Sequence, residues 1–415
     1  MRVLLISQEF PPETGWGGIG TYAGIIAPAL VRAGAEVHVL SVIEGQARST
    51  RTGEGVHVHR APLRRPRGVG RALGTPIAWQ RLCGAATLAL EHRRLGLGFD
   101  VWESPEWGAE GLVLALRRAV PSVVRLHSGG AQVLPFIGPI QRDRRQVIKF
   151  EEALIRRADV VTGTRALTST VPVELGVDPD RVRTIRYPVA RVQPLPPPAD
   201  ERGGGDAKAT VAFVGRFEAR KGPDVLVRAV PRLLERVPEA RVVLRGRDTP
   251  VLGHGSFLED LRRQIAELGI AHAVELIDDW HPDAVVAELR RAAVCAVPSR
   301  WESFGLVAAE AAALGRPVVA SRIAGLDDVV DDGVTGRLVP PEEPAALADA
   351  IADLLESPDD RRRMGAAAAN DIAHRCDPDR IAAETMSAYE LAIENFGRRH
   401  GRRRNRFASS MRPRQ

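Results

Sequence analysis

A chain of 415 residues, 44% hydrophobic and 27% charged, exceeds one ordinary core and has the balance of a globular protein built from two α/β domains. Aromatic residues, at 5%, are too sparse for a stacking platform on single-stranded nucleic acid, and Cys83, Cys295 and Cys376 stand in no metal or disulfide spacing, as suits a reducing cytosol. The formal charge of +6 is gathered at one end: residues 398–415 hold eight arginines and no acid, which reads as a solvated tail before it reads as a lipid or nucleic-acid surface.

The apolar run Val3 to Ile6 is too short for a signal-peptide core and reads as a first strand, Val3–Ser7. No stretch approaches the roughly 20 apolar residues of a spanning helix. A cytoplasmic protein is expected, with peripheral contact at the inner membrane face left open. Helix Ile19–Arg32, strand Glu36–Ser41 and a third strand at Gly55–His59 follow, then a basic loop from Arg60 to Arg71 and a long helix near Thr75–Arg94. Further strands are expected at Asp100–Glu103, Ser122–Leu126, Val160–Thr162 and Val182–Arg186, with helices between most of them. Strands alternating with helices imply βαβ units and a parallel sheet.

Pro194-Leu195-Pro196-Pro197-Pro198 and Gly203-Gly204-Gly205 can propagate neither a helix nor a central strand, so residues 189–209 read as a linker. The alternation restarts with strand Thr210–Val214, helix Pro223–Arg236, strand Ala240–Arg245, helix Phe257–Leu268, strand Ala273–Ile277, helix Asp283–Arg291, strand Val294–Val297, helix Phe304–Leu314 and strand Pro317–Ser321. Helices run from about Glu343 to about Arg399. The expected organisation is a Rossmann-like domain over 1–188, the linker, a second Rossmann-like domain over 210–375, a helix over 376–399 that could return to the first domain, and a disordered basic tail over 400–415. Two doubly wound parallel sheets facing across a cleft place the default ligand site at their carboxyl ends.

The segment Pro298-Ser299-Arg300-Trp301-Glu302-Ser303-Phe304-Gly305-Leu306-Val307-Ala308-Ala309-Glu310 carries the densest chemistry. A strand ends at Val297 and a helix opens near Gly305. Its first amides lack intrahelical partners and suit a diphosphate. Glu302 and Glu310 are too far apart for one short site. They could hold two hydroxyl-bearing parts of one extended ligand; the plainer alternative is a cap and a helix-surface residue. Arg216, at the strand end in Phe213-Val214-Gly215-Arg216-Phe217, and Lys221, in Arg220-Lys221-Gly222, could neutralise a leaving diphosphate, or could be two solvated cations.

These segments resemble the E-x7-E signature and basic pair of glycosyltransferase family 4, whose members have the GT-B fold, retain anomeric configuration and use nucleotide diphosphate sugars. The resemblance covers most of the chain and is densest from Val211 to Val339. It implies that Arg216 and Lys221 bind the diphosphate, that Glu302 meets the donor sugar and that Glu310 meets the ribose. Gly215, Ser303, Phe304, Gly305, Leu306 and Val307 become donor contacts. His127, before Ser128-Gly129-Gly130, matches the family's histidine near the transferred sugar. Gly15-Trp16-Gly17-Gly18-Ile19-Gly20 fits G-x-G-x-x-G but starts too far after its strand for a dinucleotide fingerprint. It is similar instead to the family's glycine loop, with Gly17 and Gly18 facing donor phosphate and acceptor.

Two loops depart from the family pattern: Arg245-Gly246-Arg247-Asp248-Thr249 and Asp278-Asp279-Trp280 replace glycine-rich turns, which leaves the donor open. Asp328 stands where relatives often carry glutamate. Trp102-Glu103-Ser104-Pro105-Glu106-Trp107 could line an acceptor pocket, or the tryptophans could simply pack. Asp178-Pro179-Asp180 has metal-site spacing but a turn context, so no metal and no cofactor are expected. Arg142, Arg144, Arg145 and Lys149 on a helix over Pro139–Arg157 could receive an anionic or lipid-linked acceptor, although a solvated face fits them better. The expected reaction is sugar transfer to a hydroxyl of a small molecule, glycan or lipid, with a uridine donor preferred over guanosine and no nucleic-acid partner. A nucleotide-sugar epimerase of the same architecture, and behind it a dinucleotide oxidoreductase or a non-catalytic binder, are the competing readings.

Overall fold

A computed structural model describes the chain except residues 13, 15–16, 44, 65–68, 139–140, 193–208, 249–254 and 411–415, and except the side chains of 71 and 400–410. Contacts divide it into two units: residues 1–132, 140–188 and 378–415 form one, and residues 133–139 and 189–377 form the other.

The first unit carries β1 (Arg2–Ile6), β2 (Glu36–Ile43), β3 (Arg48–Arg51), β4 (His57–Pro62), β5 (Val101–Pro105), β6 (Ser122–Arg125), β7 (Val160–Gly163) and β8 (Val182–Thr184). Their order is β3-β4-β2-β1-β5-β6-β7-β8, with every pairing parallel except β3 with β4. The second unit carries β9 (Thr210–Val214), β10 (Arg241–Gly246), β11 (Val274–Asp278), β12 (Val294–Val297), β13 (Val318–Ser321) and β14 (Gly336–Val339), all parallel in the order β11-β10-β9-β12-β13-β14. Each sheet is wound outward from its first strand and then restarts on that strand's other side. The strand order therefore reverses between β1 and β5 and between β9 and β12, and a cleft opens at such a reversal, at the strands' carboxyl ends.

Helices on both faces explain the near-continuous apolar strands. In the second unit Val211, Phe213, Val242, Leu244 and Val294 pack with Leu226, Val230 and Leu233 of helix Pro223–Arg236 and with Leu347 and Ile351 of helix Pro344–Glu356. Each such side chain contributes about 1.5–3 kcal/mol by leaving water. Pro223, Pro282, Pro344 and Pro358 occupy first-turn positions, where a missing N–H costs nothing.

Several elements differ from the sequence reading. The third strand lies at His57–Pro62, and the exposed hairpin strand β3 and the strand β14 were not foreseen. β3 is Arg-Ser-Thr-Arg, with no apolar alternation to show it, and β14 is only Gly-Arg-Leu-Val. The last helix runs from Pro378 to Ser410, so the backbone of residues 400–410 is helical where a disordered tail was expected; arginine is a good helix former and propagates a helix already begun. It lies along helix Gly18–Arg32 and strands β5 to β7 of the first unit. Most of the linker falls outside the described residues.

Candidate active site

β9 and β12 are neighbours, with Val294 opposite Val211 and Cys295 opposite Ala212, so the loops that leave their carboxyl ends meet. Gly222 brings them together. It has φ +67°, and a Cβ there would lie 2.0 Å from the Pro298 carbonyl oxygen. The amide of Arg300 donates to Arg220 O at 2.8 Å, and its guanidinium grips both Asp224 oxygens at 2.8 and 2.7 Å. Thus fastened, Lys221 Nζ donates to Glu302 Oε1 at 2.5 Å, and Ser299 Oγ donates to the same oxygen at 3.1 Å. Arg220 lies 3.5 Å from the other Glu302 oxygen and 2.5 Å from Glu218. Glu218 in turn lies 3.7 Å from Arg216. The site is a line of alternating charge: Arg216, Glu218, Arg220, Glu302, Lys221.

Burial alone would raise the Glu302 carboxyl, but Lys221 and Arg220, with hydrogen bonds from Lys221 and Ser299, hold it below its ordinary range. Burial lowers the Lys221 ammonium, and Glu302 opposes that shift. Glu310 is pushed up to about 7 by burial, against the pull of Lys221. Lys221 therefore feels both glutamates of the signature. Arg216 is at the outer end of the line, its side chain 49% exposed. Helix Leu306–Ala313 starts at Gly305, in the left-handed region at φ +88°, with no side chain capping it. Phe304 is buried and Ser303, Leu306 and Val307 are partly exposed beside it. Sequence reasoning missed Arg220 and Glu218. Their signal was nearness to Lys221, one and three residues before it, and which cation of an Arg-Lys pair turns inward depends on the one-turn helix Ala219–Lys221.

The two loops that depart from the family pattern are tied to each other. Arg245 pairs with Asp279 at 3.0 Å and with Glu288 at 3.2 Å, and the Asp248 amide donates to Asp278 at 3.2 Å. Thr249 lies outside the described residues.

In the first unit, His127 follows β6 and is buried. The amides of His127 and Ser128 donate to Glu106 at 2.8–2.9 Å, and those of Gly108 and Gly130 donate to Glu151 at 2.8 and 2.7 Å. Two buried carboxylates thus staple the turns after β5 and β6. Burial raises both to about 7. Nδ1 of His127 bonds the Tyr187 hydroxyl, and burial followed by Arg125 holds the imidazole well below its ordinary value. At Gly17 and Gly18 the helix N-terminus already meets an anion. Glu9 accepts from the Gly20 amide at 3.2 Å, and a Cβ on Gly17 would lie 2.6 Å from that carboxylate. Gly15 and Trp16 lie outside the described residues.

Trp102 and Glu103 are core residues, at 1% and 3% exposure, so packing accounts for that tryptophan. Asp178 accepts from the Asp180 amide at 3.0 Å in a one-turn helix, and among the described residues no cluster of three His, Cys, Asp or Glu could hold a metal. On helix Arg142–Arg157, Arg142, Arg145 and Lys149 are exposed and share one face by their spacing. No described helix is long and apolar enough to cross a membrane.

A family model for glycosyl transferases group 1 matches residues 200–371, and one for a glycosyl transferase 4-like domain matches residues 17–188. The D-inositol 3-phosphate glycosyltransferase of Corynebacterium efficiens is 33% identical over 388 residues, covering 88% of this chain and 89% of that protein. Its counterpart from Corynebacterium glutamicum is 32% identical, covering 95% and 98%. The chain belongs to glycosyltransferase family 4. Among solved structures, sucrose-phosphate synthase from Thermosynechococcus elongatus superposes with a TM-score of 0.76 at 22% identity, covering 95% of this chain and 99% of that one. Anabaena HepE in complex with UDP and glucose superposes at 0.68 and 20% identity, covering 94% and 100%. The architecture is that of the GT-B glycosyltransferases, and the reaction is transfer of a sugar from a nucleotide-sugar donor. The epimerase and oxidoreductase readings are set aside by this assignment.

Proposed function

We propose that this family 4 glycosyltransferase transfers its sugar with retention of anomeric configuration, from a uridine diphosphate donor held at the β9–β12 reversal. The observation that supports this most is the Lys221–Glu302 contact at the end of a charged line that opens outward at Arg216. In this reading the diphosphate takes Lys221, Arg216 and the uncapped amides at Gly305 as partners, the sugar meets Glu302 and His127, and the ribose meets Glu310. Gly215, Ser303, Phe304, Leu306 and Val307 shape the donor seat, and Gly17 and Gly18 face donor phosphate and acceptor. The acceptor oxygen attacks C1 from the face the leaving group departs, the C1–O bond to phosphate breaks, and the hydroxyl proton passes to the departing phosphate. Cations and helix amides stabilise the charge that develops there.

Substituting Arg216 or Lys221 by alanine lowers kcat by about ten- to hundred-fold. Unchanged turnover in both variants would remove the reading, and the product's anomeric coupling constant by NMR tests retention. A thermal-shift panel of nucleotide diphosphates orders the donors, with UDP expected to raise Tm more than GDP. We infer an anionic polyol as the acceptor class, because the Corynebacterium relatives are named for D-inositol 3-phosphate and Arg142, Arg145 and Lys149 form an exposed cationic face. Equal rates with the phosphorylated and unphosphorylated polyol would discard that acceptor.

A further inference from the structure

Tyr187 belongs to none of the motifs above. It lies three residues past β8 and is 3% exposed, with its hydroxyl on Nδ1 of His127 and its ring edge-to-face with the imidazole, centroids 5.4 Å apart. Tyr22, from helix Gly18–Arg32, closes another side of the imidazole at 5.1 Å and packs on Tyr187 at 5.6 Å. Arg125 lies over both tyrosine rings at 4.8 and 5.3 Å, and donates to the carbonyls of Ile185 and Arg186 at 2.9 Å each. The guanidinium therefore fixes the backbone that carries Tyr187. The imidazole is wedged among rings with Nδ1 engaged, and no described hydrogen bond uses Nε2.

We propose that Tyr187 is a positioning residue that holds His127 as the Nε2–H tautomer, so that the histidine presents an N–H donor to a hydroxyl of the sugar being transferred. This rests on the reading of His127 as a sugar contact. A phenol, with a pKa of about 10, is a far better donor than a neutral imidazole N–H, so the Tyr187 hydroxyl donates and Nδ1 accepts. The hydrogen bond at one ring nitrogen decides which nitrogen keeps the proton. With Nδ1 accepting, the single proton of a neutral ring is on Nε2. The opposite arrangement would leave Nε2 an acceptor only, which cannot donate to a sugar oxygen.

The test is nitrogen-15 NMR of the full chain labelled at histidine, with the His127 signals assigned by their loss in His127→Gln. The expected wild-type spectrum shows a protonated, pyrrole-type Nε2 and a pyridine-type Nδ1, and the reverse pattern overturns the proposal without any variant. Tyr187→Phe is expected to give mixed tautomers and a kcat lower by about three- to ten-fold, the loss of one hydrogen bond, with donor KM nearly unchanged. A variant that keeps both the Nε2–H signature and the full rate also overturns it. If His127→Ala transfers sugar at the wild-type rate, the sugar-contact reading falls, while the tautomer measurement stands on its own.

Discussion

Lys221 and Arg216 occupy opposite ends of one line of charges, and removing each has different consequences. Glu302, at 6% exposure, depends on Lys221 for a charge-assisted hydrogen bond. Lys221→Ala therefore costs about 2 kcal/mol of stability in addition to its effect on rate, with Arg220 limiting the loss. Arg216 is half exposed and, among the described residues, its ion pair is with the far oxygen of Glu218, so Arg216→Ala changes stability by no more than about 0.5 kcal/mol while transfer still suffers. Denaturant midpoints measured beside kcat separate the two cases, and equal destabilisation would contradict the line as drawn. Glu302 and Lys221 were legible in the sequence because a motif marks them at a strand end and a helix start. Arg220 was not, because a buried arginine is defined by the two carboxylates that receive it, and Glu218 and Glu302 stand 84 positions apart in no readable pattern.

The turns after β5 and β6 depend on carboxylates that burial keeps hard to ionise. Glu106 and Glu151 titrate near 7 in the folded chain and in the ordinary carboxyl range when unfolded. The folded state therefore binds protons that the unfolded chain has released. Their contribution is fully present below the unfolded value and is lost as pH rises through about 7. Melting curves between about pH 5 and about pH 8 should show Tm falling, and Glu106→Gln, which keeps one acceptor oxygen but cannot ionise, should flatten part of that fall. A slope identical to wild type would show that Glu106 does not carry it. Strands such as Thr210–Val214 and Val294–Val297 were read with their observed ends, because β-branched runs flanked by glycine, proline or polar loops leave little choice. β3 was invisible: all four of its residues are exposed, and pairing to β4 makes it a strand.

At the scale of the chain, the first unit is built from both sides of the second. Helix Pro378–Ser410 is held there by Arg32 to Asp379 at 2.8 Å, Tyr389 to Glu103 at 3.1 Å, and Asn395 and Arg399 to Asp159 at 3.2 and 3.1 Å, with Ile381, Ala382, Tyr389 and Ala392 buried. Ending the chain at residue 377 strips that cover and takes Tyr389 from a carboxylate at 3% exposure, so the first unit should lose its cooperative melting transition. Ending it at residue 399 keeps every one of these contacts and should shift stability by no more than about 0.5 kcal/mol. Comparable melting of the two truncations would refute this role for the helix.

The same return of the chain sets an order of events during synthesis. Residues 189–377 emerge from the ribosome as one continuous stretch and contain the whole of β9 to β14. The unit that begins first is thus completed last, because the helix that seats on its strands is translated only after the whole second unit. Until then the apolar side of β5 to β7 waits uncovered, and a nascent chain stalled before residue 378 is where chaperone capture should be strongest.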